Sequence, residues 1–259
     1  MLFLLSPAKA LDYESPLGQI PPTEPLFVKQ SGELIALLKK KSTSQIAELM
    51  NLSVALSELN VARYKAWSRK FTDKNSRPAA LAFDGDVYGG LAAKSLKTED
   101  LAWAQEHVCI LSGLYGVLRP LDRMQPYRLE MGTRLANPQG ETLYKFWGST
   151  IASYLNERLQ AEATPVVINL ASQEYFKSVD HKILKARVIE CVFEEFKDDQ
   201  YKVISFFAKR ARGLMARYAT LARITTPQQL EKFKLEGYAF AKAASTPDRL
   251  VFRRKVKPV

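Results

Sequence analysis

Short apolar runs bounded by turn residues restrict most strongly what this chain can fold into. MLFLL at residues 1–5 ends at Ser6-Pro7, and PVVINLAS at 165–172 has the same character. Such runs predict buried strands, because proline cannot continue a ladder and four to eight consecutive apolar residues suit a strand shielded by neighbours. ALAF at 80–83 predicts a further short strand entering the polar turn DGDVYGG. Between these runs, residues 34–38, 46–50 and 56–67 carry apolar side chains at helical spacing, with Ser44 and Ser53 placed as caps. Strands interleaved with helices predict a mixed α/β (α+β) fold, a central sheet with surrounding helices.

Further along, Thr98-Glu99-Asp100 offers a helix start with acidic residues in the first turn. HVCIL either continues that helix or becomes a strand, and residues 144–159 have the recurrence of one helix. ARVIECVFEEF and YKVISFF, joined by KDDQ, predict a β-hairpin whose connection is not the favoured two-residue turn. LVFRRK predicts an edge strand. With 259 residues, 47% of them hydrophobic, the chain can bury one substantial core, and a single domain over 1–259 is expected. No apolar run approaches the roughly 20 residues of a membrane span, and the N-terminal run lacks the basic flank of a signal peptide. A cytoplasmic protein without a membrane partner is expected. Cys109 and Cys191 lie far apart without CxxC spacing, and His107 and His181 are the only histidines, so neither a disulfide framework nor a metal site is predicted.

The densest polar information lies in LSGLYGVLRPLDRMQPYRLEMG, residues 111–132. Gly113 and Gly116 flank Leu114 and Tyr115, a pattern that lets backbone amides approach an anion without an intervening Cβ. Arg119, Arg123, Arg128 and Arg134 follow, and guanidinium groups suit bidentate contact with phosphate or carboxylate. A tight connection with solvated arginines has the same appearance. Charge is also uneven: the net +11 resides beyond residue 200, where 14 Lys+Arg face 3 Asp+Glu. This basic part, 201–259, predicts a polyanionic partner, nucleic acid ahead of a membrane surface. Within it, Lys209, Arg210, Arg212 and Arg217 share about half of a helical wheel opposite Phe207, Leu214, Met215, Tyr218 and Leu221. One face would pack, and the other would follow a phosphate backbone.

A second constellation follows the apparent strand ends. Ser6 and Lys9 come after the first run, Asp84 and Asp86 after the second, and Asn169, Ser172, Glu174, Tyr175 and Lys177 after PVVIN. In α/β architectures such positions can converge on a crevice beyond the strand termini, where Lys9, Asp86, Glu174 and Lys177 would be the candidate catalytic groups. Turn capping and solvated lysines are the plainer reading of each residue alone. Neither GxGxxG nor GxxxxGK[ST] occurs, so no dinucleotide or nucleoside triphosphate cofactor is predicted.

SPAK, FDGDVY, the central segment, LYKFWG, INLASQEYFK and FFAKRARGLMARY, in this order over nearly the whole chain, closely resemble the YaaA family of peroxide-stress resistance proteins. The resemblance implies a cytosolic bacterial protein of mixed α/β fold, involved in resistance to hydrogen peroxide and binding DNA. It also implies a helix-hairpin-helix-like element at residues 111–116, although Ser112 stands where proline is common and Pro120 limits a second helix. DNA would then be held with weak sequence specificity by Gly113, Leu114, Tyr115 and Gly116, by Arg119 and Arg128, and by the basic helix. The alternative is an enzyme acting on a nucleotide, nucleobase or damaged DNA in the strand-end crevice.

Overall fold

In a computed structural model describing residues 1–18 and 20–255, the N-terminal apolar run forms the central strand of the molecule, Leu2–Leu5. Every residue of it is buried, because it pairs in parallel on both sides: Phe3 opposes Val108 of strand Val108–Ser112 and Ile168 of strand Val166–Leu170. The parallel ladder extends through Arg187–Lys197 to Arg249–Arg254. Short antiparallel strands, Gly116–Leu118 and Ala239–Phe240, finish its two edges. The continuous apolar runs are thus the interior of a mostly parallel sheet, the setting in which strands need no polar face.

The path of the chain through this sheet creates a site. From the central strand it passes, through residues 6–107, to Val108–Ser112 on one side, then crosses back to Val166–Leu170 on the other. The segments leaving the C-terminal ends of the adjacent strands Leu2–Leu5 and Val166–Leu170 therefore diverge, and a crevice opens between them.

The helical layer predicted for the first third is present as Val28–Lys39, Thr43–Met50 and Val54–Ala66. Ser53 caps the third helix as expected, whereas the second is capped by Ser42 rather than Ser44. Gln45 and Ser42 exchange side-chain to backbone hydrogen bonds of 3.3 and 2.9 Å, a capping box that Ser44, two residues later, is placed too late to form.

Several local expectations are corrected. Ala79–Ala82 is a buried helical turn, and only Phe83–Asp84 is extended, pairing with Ala10–Leu11. Alanine's helix preference prevails in a run too short to carry a period. DGDVYGG is largely the helix Asp86–Leu91. HVCIL resolves as the strand Val108–Ser112. The helix expected over 144–159 is two, Leu143–Trp147 and Thr150–Arg158, parted at Gly148 with φ +44°. In the hairpin between Arg187–Lys197 and Gln200–Lys202, Asp198 and Asp199 both have positive φ, +52° and +57°, so the connection is the favoured two-residue kind after all. The second strand stops at Lys202, and SFF opens the helix Ser205–Ala222. Arg249–Arg254 is an interior strand, since Ala239–Phe240 covers its outer side.

Helix Ser205–Ala222 buries Ala208, Ala211, Leu214, Met215 and Ala219. The basic C-terminal part therefore shares the one core with the sheet, while residues 256–259 lie outside those described. No helix among the described residues is long and apolar enough to cross a membrane.

Candidate functional site

The crevice at the strand ends is a cleft of about 440 Å³. Its floor is the turn after the central strand, where Ser6 Oγ accepts the Ser172 N–H at 2.9 Å and donates to Ser172 Oγ at 3.3 Å. The Tyr88 hydroxyl donates to the Ser6 carbonyl at 3.0 Å, tying helix Asp86–Leu91 to the same turn. Burial pushes the Tyr88 and Tyr175 phenols well above their ordinary range, so both stay protonated at neutral pH.

Of the four candidate catalytic residues, three meet here. Lys9, Asp86 and Glu174 all line the cleft. Lys9 Nζ lies 3.0 Å from Glu130 Oε2, while Arg128 holds the other oxygen of Glu130 at 3.1 Å. Glu174 Oε1 accepts the Gly132 N–H at 2.9 Å. Lys177 is not part of the lining. The helical turn Gln173–Phe176 carries it away, and its ammonium stands 5.1 Å from the centre of the Tyr144 ring instead.

Two residues expected on a polyanion-binding face, Lys209 and Arg212, also line the cleft. They are one helical turn apart on Ser205–Ala222, whose wall is fixed by contact with Asp86–Leu91. Lys209 is exposed and Arg212 half-buried, and neither has a hydrogen-bond or ion-pair partner among the described residues. Burial lowers the Arg212 pKa, opposed by the fields of Glu190 and Cys191, and the guanidinium remains charged. Glu130 was not singled out from sequence. Its signal was its place in RLEMG, between Arg128 and Gly132, but only the fold carries that loop to Lys9.

The remaining candidates are engaged inside the protein. Gly113, Leu114, Tyr115 and Gly116 are buried at the tip of a β-hairpin, with strand on both sides, which corrects the expected helix-hairpin-helix-like element. The Tyr115 N–H donates to Ser112 Oγ at 2.9 Å, and the Gly113 carbonyl accepts from Trp147 Nε1 at 3.0 Å. The close approach read from the glycines is real, but the partner is the core. A Cβ on Gly113 would stand 2.2 Å from the Leu129 carbonyl oxygen, and one on Gly116, at φ +66°, 2.7 Å from the Trp147 ring. Arg119 forks onto the wholly buried Asp122 at 2.8 and 3.0 Å. Arg210 pairs with Glu236 at 2.6 Å, and Arg217 donates to the Leu91 and Ala92 carbonyls at 3.1 Å each. The half-wheel of cations is therefore not one continuous free face. Among the described residues, no group of three or more His, Cys, Asp or Glu side chains is arranged to hold a metal ion.

Comparison with known proteins agrees with the motif reading. The family model described as peroxide stress protein YaaA matches residues 1–244. A UPF0246 protein of Albidiferax ferrireducens is 68% identical, covering 98% of both chains. A UPF0246 protein of Variovorax paradoxus is 67% identical over 98% of this chain and 99% of its own. Another from Bordetella petrii is 67% identical over 98% of this chain and 100% of its own.

Proposed function

The chain belongs to the peroxide stress protein YaaA family, and from that membership and the strand-end cleft we propose that it contributes to peroxide resistance by binding and acting on a nucleotide, nucleobase or damaged-DNA fragment. The observation that carries this reading is the convergence of Lys9, Asp86 and Glu174, from three separate segments, on one crevice. Lys9 beside Glu130 puts an ammonium against a carboxylate, and Asp86 supplies a second carboxylate in the lining. Positioned acid and base groups of this kind assist bond-making to a ligand held between them. The test is complementation of a peroxide-sensitive null strain with Lys9→Ala, Asp86→Asn and Glu174→Gln, each checked for folding by circular dichroism. Loss of rescue by folded variants is expected. Full rescue by all three overturns the reading.

A second reading, DNA binding through the basic C-terminal part, is favoured by the charge distribution. Lys209, Lys232, Lys234, Lys242 and Arg249 are all exposed there. Contacts spread over such side chains would hold phosphates with weak sequence specificity. In this reading the buried glycine hairpin supports the fold and does not touch the duplex.

A further inference from the structure

We propose that the cleft takes a free nucleoside monophosphate, with its phosphate on Arg212 and Lys209 and its hydroxyl or amino donors on Asp86 and Glu174. This rests on the reading of the cleft as a nucleotide site and assigns that site a polarity.

Arg212 is the informative residue. The neighbouring arginines of the same helix are committed, Arg210 to Glu236 and Arg217 to backbone carbonyls. Arg212 is more deeply placed than Arg210, yet its guanidinium has no acceptor among the described residues and opens on the cleft. A half-buried cation that faces a cleft and lacks a protein acceptor is free to take a ligand anion there. Its planar fork matches two phosphate oxygens, and Lys209, three residues earlier on the same helix face, supplies a third donor.

The opposite side of the cleft limits how much charge the ligand brings. Lys9 is already held by Glu130, and Asp84, Asp86 and Glu174 add negative charge around the opening. With two cations against these carboxylates, the lining suits the charge of one phosphate better than that of a triphosphate. Carboxylates are suitable acceptors for ribose hydroxyls or a base amino group. The volume, about 440 Å³, falls within the roughly 300–1,000 Å³ usual for small-molecule sites.

Calorimetry on the full chain would test this with adenosine and guanosine 5′-monophosphates, the nucleosides, the 5′-triphosphates and a short single-stranded oligonucleotide. A monophosphate should bind roughly tenfold or more tighter than its nucleoside and its triphosphate. Arg212→Gln should remove that roughly tenfold preference while leaving nucleoside affinity unchanged, and Lys209→Ala should remove part of it. Lys209 is exposed, so its variant keeps the test open if Arg212→Gln does not fold. Monophosphate binding indifferent to both substitutions overturns the polarity and leaves the cleft reading standing. An oligonucleotide that outcompetes the monophosphate through Arg212 overturns the free nucleotide as ligand. Absence of binding by every compound overturns the cleft reading as well.

Discussion

Gly213 lies directly against the backbone of Val87: a Cβ built on Gly213 would stand 1.7 Å from the Val87 carbonyl oxygen. The contact is reciprocal, since a Cβ on Gly90 would stand 2.2 Å from the Arg210 carbonyl oxygen. Helices Asp86–Leu91 and Ser205–Ala222 thus touch backbone to backbone. That contact fixes the position of Asp86 relative to Lys209 and Arg212 in the cleft lining. Gly213→Ala should push the helices apart at a cost of roughly 2–3 kcal/mol, about 5–10 °C in Tm for a chain of this size. Gly18→Ala, where nothing lies within 4 Å, is the control and should leave Tm unchanged. A Gly213→Ala variant that melts with the wild type would show that this contact does not set the cleft width.

Legibility of the fold followed the amount of context each segment needed. MLFLL and PVVIN could be read as strands because an unbroken apolar run has few other stable placements in a chain this size. ALAF could not, since four apolar residues fit a buried turn of helix equally well. The Asp198-Asp199 turn depends on two positive φ values that neither residue announces. At the site, strand-end positions identified Lys9 and Glu174, because adjacent parallel strands present their C-terminal ends together, whereas Asp86 reaches the cleft through the small antiparallel pair of Phe83–Asp84 with Ala10–Leu11. Lys177 failed by one helical turn. Arg212 was read as part of a cationic helix face, and the fold separates it from Arg210 and Arg217 by giving those two internal partners.

Peroxide resistance in this family suggests a reactive thiol as a source of protection, and the two cysteines oppose that route. Cys109 and Cys191 are buried, with relative exposures of 0% and 2%. Burial pushes the Cys109 thiol up to about 12 and raises that of Cys191 too. Since the thiolate is the reactive form, both should be inert at neutral pH. Native protein treated with hydrogen peroxide should show unmodified cysteines by mass spectrometry, and both should label only after denaturation. Sulfenic acid on either residue in the folded protein would count against this.

Asp12 should contribute an acid-sensitive share of stability. Its carboxylate pairs with Lys94 and accepts the Ser15 and Glu14 N–H groups at 2.9 and 3.0 Å. These partners, Lys94 first, hold its pKa far below the usual carboxylate range. A folded-state pKa below the unfolded value stabilises the protein above about pH 4, and that stabilisation fades as pH falls further. Lys94 is half exposed, so water screens the pair and its worth is about 1 kcal/mol or less. Asp12→Asn should lower Tm by roughly 2–4 °C at pH 7. The gap should narrow steadily as pH falls below about 4, where the unfolded-state carboxylate protonates before the folded one. A difference independent of pH would assign the loss to packing instead.

Binding to DNA, if it runs through the basic C-terminal part, should follow the exposed and unpaired cations and not the helix as a whole. Arg210 is neutralised by Glu236, and Arg212 faces the cleft. Replacing Lys209, Arg210 and Arg212 together by alanine should therefore remove only about one phosphate contact, flattening the slope of log affinity against log salt by roughly 0.9. Lys232, Lys234 and Lys242 are exposed and without ion-pair partners among the described residues. Their combined replacement by alanine should flatten the slope by roughly 2.7, one increment of about 0.9 for each phosphate no longer neutralised. Both losses should be alike for unrelated DNA sequences, because phosphate contacts carry no base information. Affinity measured across a salt series for the two triple variants decides the matter. Equal flattening would return the basic helix to the interface, and affinity absent at low salt in the wild type would remove DNA from the account of this chain.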